Sequence, residues 1–130
     1  MLVGPVVVPN ERTLRDVAIR FLQGAVYEPT GNSFAAAAAY ARAGIRWIND
    51  TAPKVLAYPI EKRLPLADAR LLIVSGEHDW VSPLAWREHL ASFVPGAQVM
   101  TIAGAAHGVV HDRYAELADA LLDMAGIGSA

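Results

Sequence analysis

The sequence predicts an α/β fold of about three parallel strands with flanking helices and a helical insertion. Three observations carry that expectation. Leu71 to Val74 is a continuous apolar run, the pattern of a strand covered on both faces, and Val99 to Ile102 is a second short apolar run that reads as a buried strand. Each run opens into a loop that holds one chemically capable side chain, Asp79 after the first and His107 after the second. Each loop leads into a segment with apolar residues at helical spacing, and strand–helix–strand–helix order is the layout of a parallel sheet. Crossovers in such a sheet are expected to be right-handed, with active groups at the C-terminal strand ends.

The elements follow in order. Leu2 to Val8 (LVGPVVV) reads as a first buried strand because of its β-branched run. Pro5 pushes that strand toward an edge, since proline donates nothing to a ladder. Asn10 is the expected cap of a helix over about Glu11 to Gln23, and Gly24 its end. Leu14, Val17, Ala18, Phe21 and Leu22 form its apolar stripe. Ser33 is the expected cap of a second helix through the alanine tract Ala35 to Ala39, ending near Gly44. Ile45 to Asp50 can add a turn, and Thr51 precedes a further helix through Pro53, Val55, Leu56 and Tyr58. Glu61-Lys62-Arg63 with Pro65 reads as a surface connector.

After the Leu71 to Val74 strand, Ser82-Pro83 starts a helix, because proline at a first helical position gives up no needed donor. Trp86, Leu90, Phe93 and Val94 are its buried stripe, and Pro95-Gly96 stops it. Val99 to Ile102 is the next strand. The last helix is expected over Asp112 to Ala125, burying Tyr114, Leu117, Ala118, Leu121, Leu122 and Ala125.

Bulk properties exclude several classes. The 130 residues fit one domain, 54% apolar and 18% charged, as in a soluble globular chain. With 11 basic and 13 acidic residues, net charge −2 and no polybasic cluster, nothing favours nucleic acid or an anionic membrane. The absence of cysteine excludes disulfides and thiolate metal sites. The apolar stretch Met1 to Pro9 is too short for a membrane span and lacks a basic leader and a clear cleavage site. The expected location is the cytoplasm.

LLIVSGEHDWVSP, from Leu71, resembles the penultimate strand and acid turn of the α/β-hydrolase family. VPGAQVMTIAGAAHGVVHDRYAELADALLDMA, from Val94, resembles that family's last strand, histidine loop and closing helix. The resemblance is good over about Leu64 to Ala125. Before it, LVGPVVVP resembles the strand leading out to the family's lid, and Glu11 to about Leu64 a helical lid. It implies one partial hydrolase domain over 1–130, with a lid-like insertion at 10–64 and a core at 65–130 that bears the acid and the histidine.

Carried over by position, Asp79 is the acid of a catalytic triad and His107 its general base. The implied parent activity is serine-type hydrolysis of a small apolar ester, amide or related substrate, without cofactor or metal. The family's earlier half, with the nucleophile elbow, has no counterpart in the sequence, so the chain is expected to be truncated and nearly inactive alone. G-x-S-x-G is absent; the nearest stretch is Gly31-Asn32-Ser33-Phe34-Ala35. Ser33 is either a nucleophile or a helix cap, and the cap is favoured, because Tyr27-Glu28-Pro29-Thr30 stands where an elbow needs a buried strand. The alternative function is a non-catalytic remnant or association module, pairing with itself or a complementary chain through the open edge of Leu2 to Val8.

Other residues carry two readings each. His107 and His111, four apart and near His78 and Asp79, have a metal-like spacing, but Gly108 disfavours a helix through His107, so His111 reads as a solvated helix start. His78 reads as a loop residue and His89 as partly exposed. Glu77 is expected to be solvated rather than paired with Asp79. Tyr27, Phe34, Trp47 and Tyr58 can line an apolar pocket or serve as plain core. Trp80 borders the site or covers the strand end, and Gly104 reads as a backbone requirement.

Overall fold

In the computed structural model, which describes residues 1–5 and 8–127, β2 (Leu72–Gly76) is the centre of a three-stranded parallel sheet. It is flanked by β1 (Leu2–Val3) and β3 (Gln98–Ile102), with Leu2 opposite Ile73 and the β2–β3 register running from Leu72↔Gln98 to Gly76↔Ile102. All five residues of β2 are buried, as a continuous apolar run requires.

Because strand side chains alternate, β2 feeds two cores. Leu72 and Val74 pack with Ile102, Ala105, Val109 and Leu117 under α5 (Val109–Asp112) and α6 (Tyr114–Ala125). Ile73 packs on the other face with Leu64, Trp86, Leu90 and Val94, under α4 (Leu84–Ala91) and its C-terminal turn. Each such side chain removed from water stabilises the fold by about 1.5–3 kcal/mol. The α/β architecture, its three parallel strands and its flanking helices therefore stand as expected.

Several element boundaries differ from the sequence reading. The first strand ends at Val3 rather than Val8. Gly4 turns the chain with φ +52° while its amide still bonds the Val74 carbonyl, and Pro5 follows without a donor. Val6 and Val7, part of the expected strand, lie outside the described residues. Pro83 is the extended residue before α4, not its first helical position. On α6 the buried stripe is Leu117 with Ala120 and Met124 packed beside it, whereas Tyr114, Leu121 and Leu122 are exposed. The difference is one of phase: 117, 120 and 124 follow helical spacing as well as the expected set does.

Between β1 and β2 lies an insertion of helices. α1 (Leu14–Gly24) starts three residues later than expected, because Thr13 and not Asn10 caps it through the Asp16 amide at 3.1 Å. α2 (Thr30–Leu56) contains no buried residue and breaks at Gly44, whose φ of +80° is non-helical. The expected end near Gly44 is this kink. The connector includes a short helix, α3 (Ile60–Arg63), and buries Leu64 in the second core. Arg12 ties it to the start of the insertion through Glu61 at 2.8 Å.

The expected stripe of α1 does not enter a core. Leu14, Phe21 and Leu22 are exposed, as are Phe34, Ile45 and Trp47 on α2. No helix among the described residues is long and apolar enough to cross a membrane.

Candidate functional site

The C-terminal ends of β2 and β3 bring two loops together. Glu77 and His78 donate their amides to the carbonyls of Ile102 and Ala105, at 2.9 and 2.8 Å, so the acid turn is stitched to the loop before His107. The two backbones approach so closely that only glycine fits at position 76. A Cβ there would stand 2.2 Å from the Ala106 carbonyl oxygen and 2.3 Å from that of Ala105.

Asp79 emerges from this turn with its side chain fully buried. Oδ1 accepts the amides of Val81 and Ser82, both at 2.9 Å. Oδ2 accepts the Ser75 hydroxyl and faces Nδ1 of His107 at 2.9 Å. Burial pushes the carboxyl up, but the His107 hydrogen bond and charge, the Ser75 hydroxyl and the Ser82 amide outweigh it. The net effect holds Asp79 below the ordinary carboxylate range, so it is an anion at neutral pH.

An ionised carboxylate only accepts hydrogen bonds, so the proton between the two groups resides on Nδ1. In the neutral imidazole this tautomer leaves the Nε2 lone pair free to take a proton from another group. The imidazole is partly open to solvent, with 29% of its side chain exposed. Gly4 backs the pair: a Cβ at that residue would lie 3.0 Å from His107 Cε1 and 3.5 Å from Asp79 Oδ2. Phe21 of α1 meets the imidazole edge-on, with ring centres 5.2 Å apart.

A buried arginine, absent from the sequence reading, joins the acid turn to β3. Arg87 on α4 donates Nε to the Ser82 carbonyl at 3.1 Å and Nη1 to the Met100 carbonyl and Thr101 hydroxyl at 3.0 and 2.9 Å. Burial pulls its guanidinium below the usual value, against the opposing charges of Asp79 and Glu88. Its position three and seven residues before Leu90 and Val94 was the available signal, a charge on the apolar stripe. Ser75, a polar residue ending an apolar strand, gave a similar one.

The remaining sequence candidates separate. Ser33 is exposed in the first turn of α2, preceded by a 3-10 turn and Pro29 rather than by a strand. It does not cap the helix either, since the chain enters helical geometry three residues earlier. Glu77 is exposed, as expected, and accepts the Gly104 amide at 2.9 Å, where the backbone turns with φ +67°. His111 is exposed within α5, after the histidine loop. Among the described residues no three His, Asp or Glu side chains converge as a metal site would need.

Tyr27, Phe34, Trp47 and Tyr58 are all exposed, so none of them is plain core. Tyr27 stacks on His78 at 4.0 Å, while Trp47 borders an alanine-floored hollow with Tyr40. Trp80 lies half-exposed beside Gly24 of α1. A larger open groove, about 610 Å³, lies at the opposite strand ends between Arg70, Gln98 and Met124, away from Asp79.

The model of the family described as TAP-like protein, an α/β-hydrolase family, matches residues 34–123. The match runs from α2 to α6 and includes both loops just described. No curated protein matches the chain. A family match over more than half the chain, on a sheet with parallel strands and loops meeting at their C-terminal ends, places this protein in the TAP-like α/β-hydrolase family.

Proposed function

We propose that Asp79 and His107 are the acid and the general base of a serine-type hydrolase site acting on a small apolar ester or amide. The observation that carries this reading is the 2.9 Å contact between Nδ1 and a buried carboxylate already held by two backbone amides. In the reaction, Nε2 takes the proton of an attacking hydroxyl and returns it to the leaving group. Asp79 keeps the ring in the required tautomer and stabilises the imidazolium that forms. Among the described residues no hydroxyl hydrogen-bonds to Nε2, so the nucleophile is brought by a group outside this arrangement. The helical insertion serves as the lid in this reading, supported by the contacts of Phe21 and Tyr27 with the two loops.

An activated p-nitrophenyl ester, whose leaving group needs little protonation, tests the pair with water as nucleophile. The chain should hydrolyse it slowly, with the rate lost in His107→Ala. Asp79→Asn should lower it by at least about tenfold, since general-base assistance is worth about 10²–10⁴. Equal rates in the chain and in His107→Ala would remove the basis for the assignment.

A second reading, association, is favoured by a different observation. β1 has a strand partner on one side only among the described residues, and the apolar side chains Leu22, Phe34 and Ile45 face solvent. Sedimentation should then show weight-average mass rising with concentration. A single monomer boundary at high concentration counts against it.

A further inference from the structure

One segment of the insertion touches both loops of the site. Phe21 meets the His107 ring, Tyr27 stacks on His78 within 17° of parallel, and Glu28 reaches the histidine loop itself. The Glu28 carboxylate accepts the Gly108 amide through Oε1 at 2.7 Å, across 80 positions of sequence. Its other oxygen faces the Asn32 amide nitrogen at 3.5 Å, one helical turn on. Gly108 is the residue before α5, and no side chain of its own segment caps that end.

The Gly108 N–H belongs to the same planar unit as the His107 carbonyl. A bond that fixes this N–H therefore fixes the backbone rotation that follows the His107 Cα, and with it the direction in which the imidazole leaves the chain. A charged acceptor makes the bond about twice as strong as a neutral one. We propose that Glu28 is a positioning residue for His107: it carries the placement of the helical insertion into the orientation of the imidazole. This rests on the acid–base reading of Asp79 and His107, and it adds that an insertion displaced at Glu28 loosens the pair.

The test is the NMR signal of the His107 Nδ1 proton in the full chain labelled with 15N-histidine. The signal should appear at low field in the wild type and vanish in Asp79→Asn. In Glu28→Ala its exchange with water should quicken about tenfold, the size of one net hydrogen bond to a charged group. Glu28→Asp keeps the charge but falls one methylene short, so it should behave like Glu28→Ala while leaving the fold least disturbed. Glu28→Gln keeps the reach and an acceptor without the charge, so its exchange rate should fall between those of the wild type and Glu28→Ala. Wild-type exchange in both Glu28→Ala and Glu28→Asp overturns the proposal, as does a signal that follows charge, kept in Glu28→Asp and lost in Glu28→Gln. Absence of the low-field proton from the wild type is a separate failure: it removes the acid–base pair beneath the proposal.

Discussion

Replacing Gly76 by alanine should lower stability by about 3 kcal/mol, at the upper end of the cost of overpacking a core. The reason is that the new Cβ meets backbone and not a side chain. Its nearest neighbours are the Ala106 oxygen at 2.2 Å, the Ala105 oxygen at 2.3 Å and the Ala105 carbonyl carbon at 2.5 Å. A flexible side-chain tip swings away at small cost, whereas a carbonyl moves only with its peptide plane. The Ala106 plane lies just before His107, and the Ala105 carbonyl accepts the His78 amide. Relief of the clash must therefore break the stitching between the two loops or shift the histidine from the acid. Urea unfolding should show a lower midpoint with an unchanged slope, because the same surface is exposed on unfolding. Hydrolysis of the activated ester should fall along with it. A change within about 0.5 kcal/mol, the range of an ordinary surface substitution, would mean that the loops do not approach as described.

Arg87 should be nearly as costly to replace. Arg87→Met keeps most of the aliphatic stem but strips three acceptors of their donors: the Ser82 and Met100 carbonyls and the Thr101 hydroxyl. It also removes a positive charge that interacts with the buried Asp79. Leaving a buried acceptor without its donor costs about 1–3 kcal/mol. Arg87→Lys should recover little of this, because one ammonium cannot reproduce the forked donors of a guanidinium that reaches two segments at once. Guanidinium-chloride unfolding of both variants gives the comparison. A loss under about 1 kcal/mol in both would show that the arginine is tolerated rather than required.

These two positions show how much of the site was legible in the sequence. Asp79 and His107 were legible because each closes a short apolar run, and a parallel sheet gathers such loops at one end. Their supports were less so. Arg87 is three positions beyond a helix start and sits on an apolar stripe, a local anomaly without a visible partner. Glu28 carried no local sign at all, since its acceptor role depends on a loop 80 residues away.

The insertion shows the reverse failure. α1 has the apolar periodicity of a core helix, and Asn10 is as good a cap residue as Thr13. Which residue caps is settled by where the chain is free to turn, and which face is buried by what lies against it. Phe21 satisfies the stripe pattern and is nevertheless 41% exposed, with its ring edge on an imidazole instead of in a core.

The sequence by itself determined the α/β class, the two strands β2 and β3 and the order of Asp79 and His107, because these depend on periodicity and on residues close to one another in the chain; that β3, unlike β2, leaves Gln98 and Thr101 exposed was not legible there. Only the tertiary structure decided that Gly76 admits no side chain, that Arg87 joins the acid turn to β3, and that Glu28 reaches Gly108. Those depend on distances between segments far apart in sequence, and such distances are set by how whole elements pack, not by the preferences of any one of them.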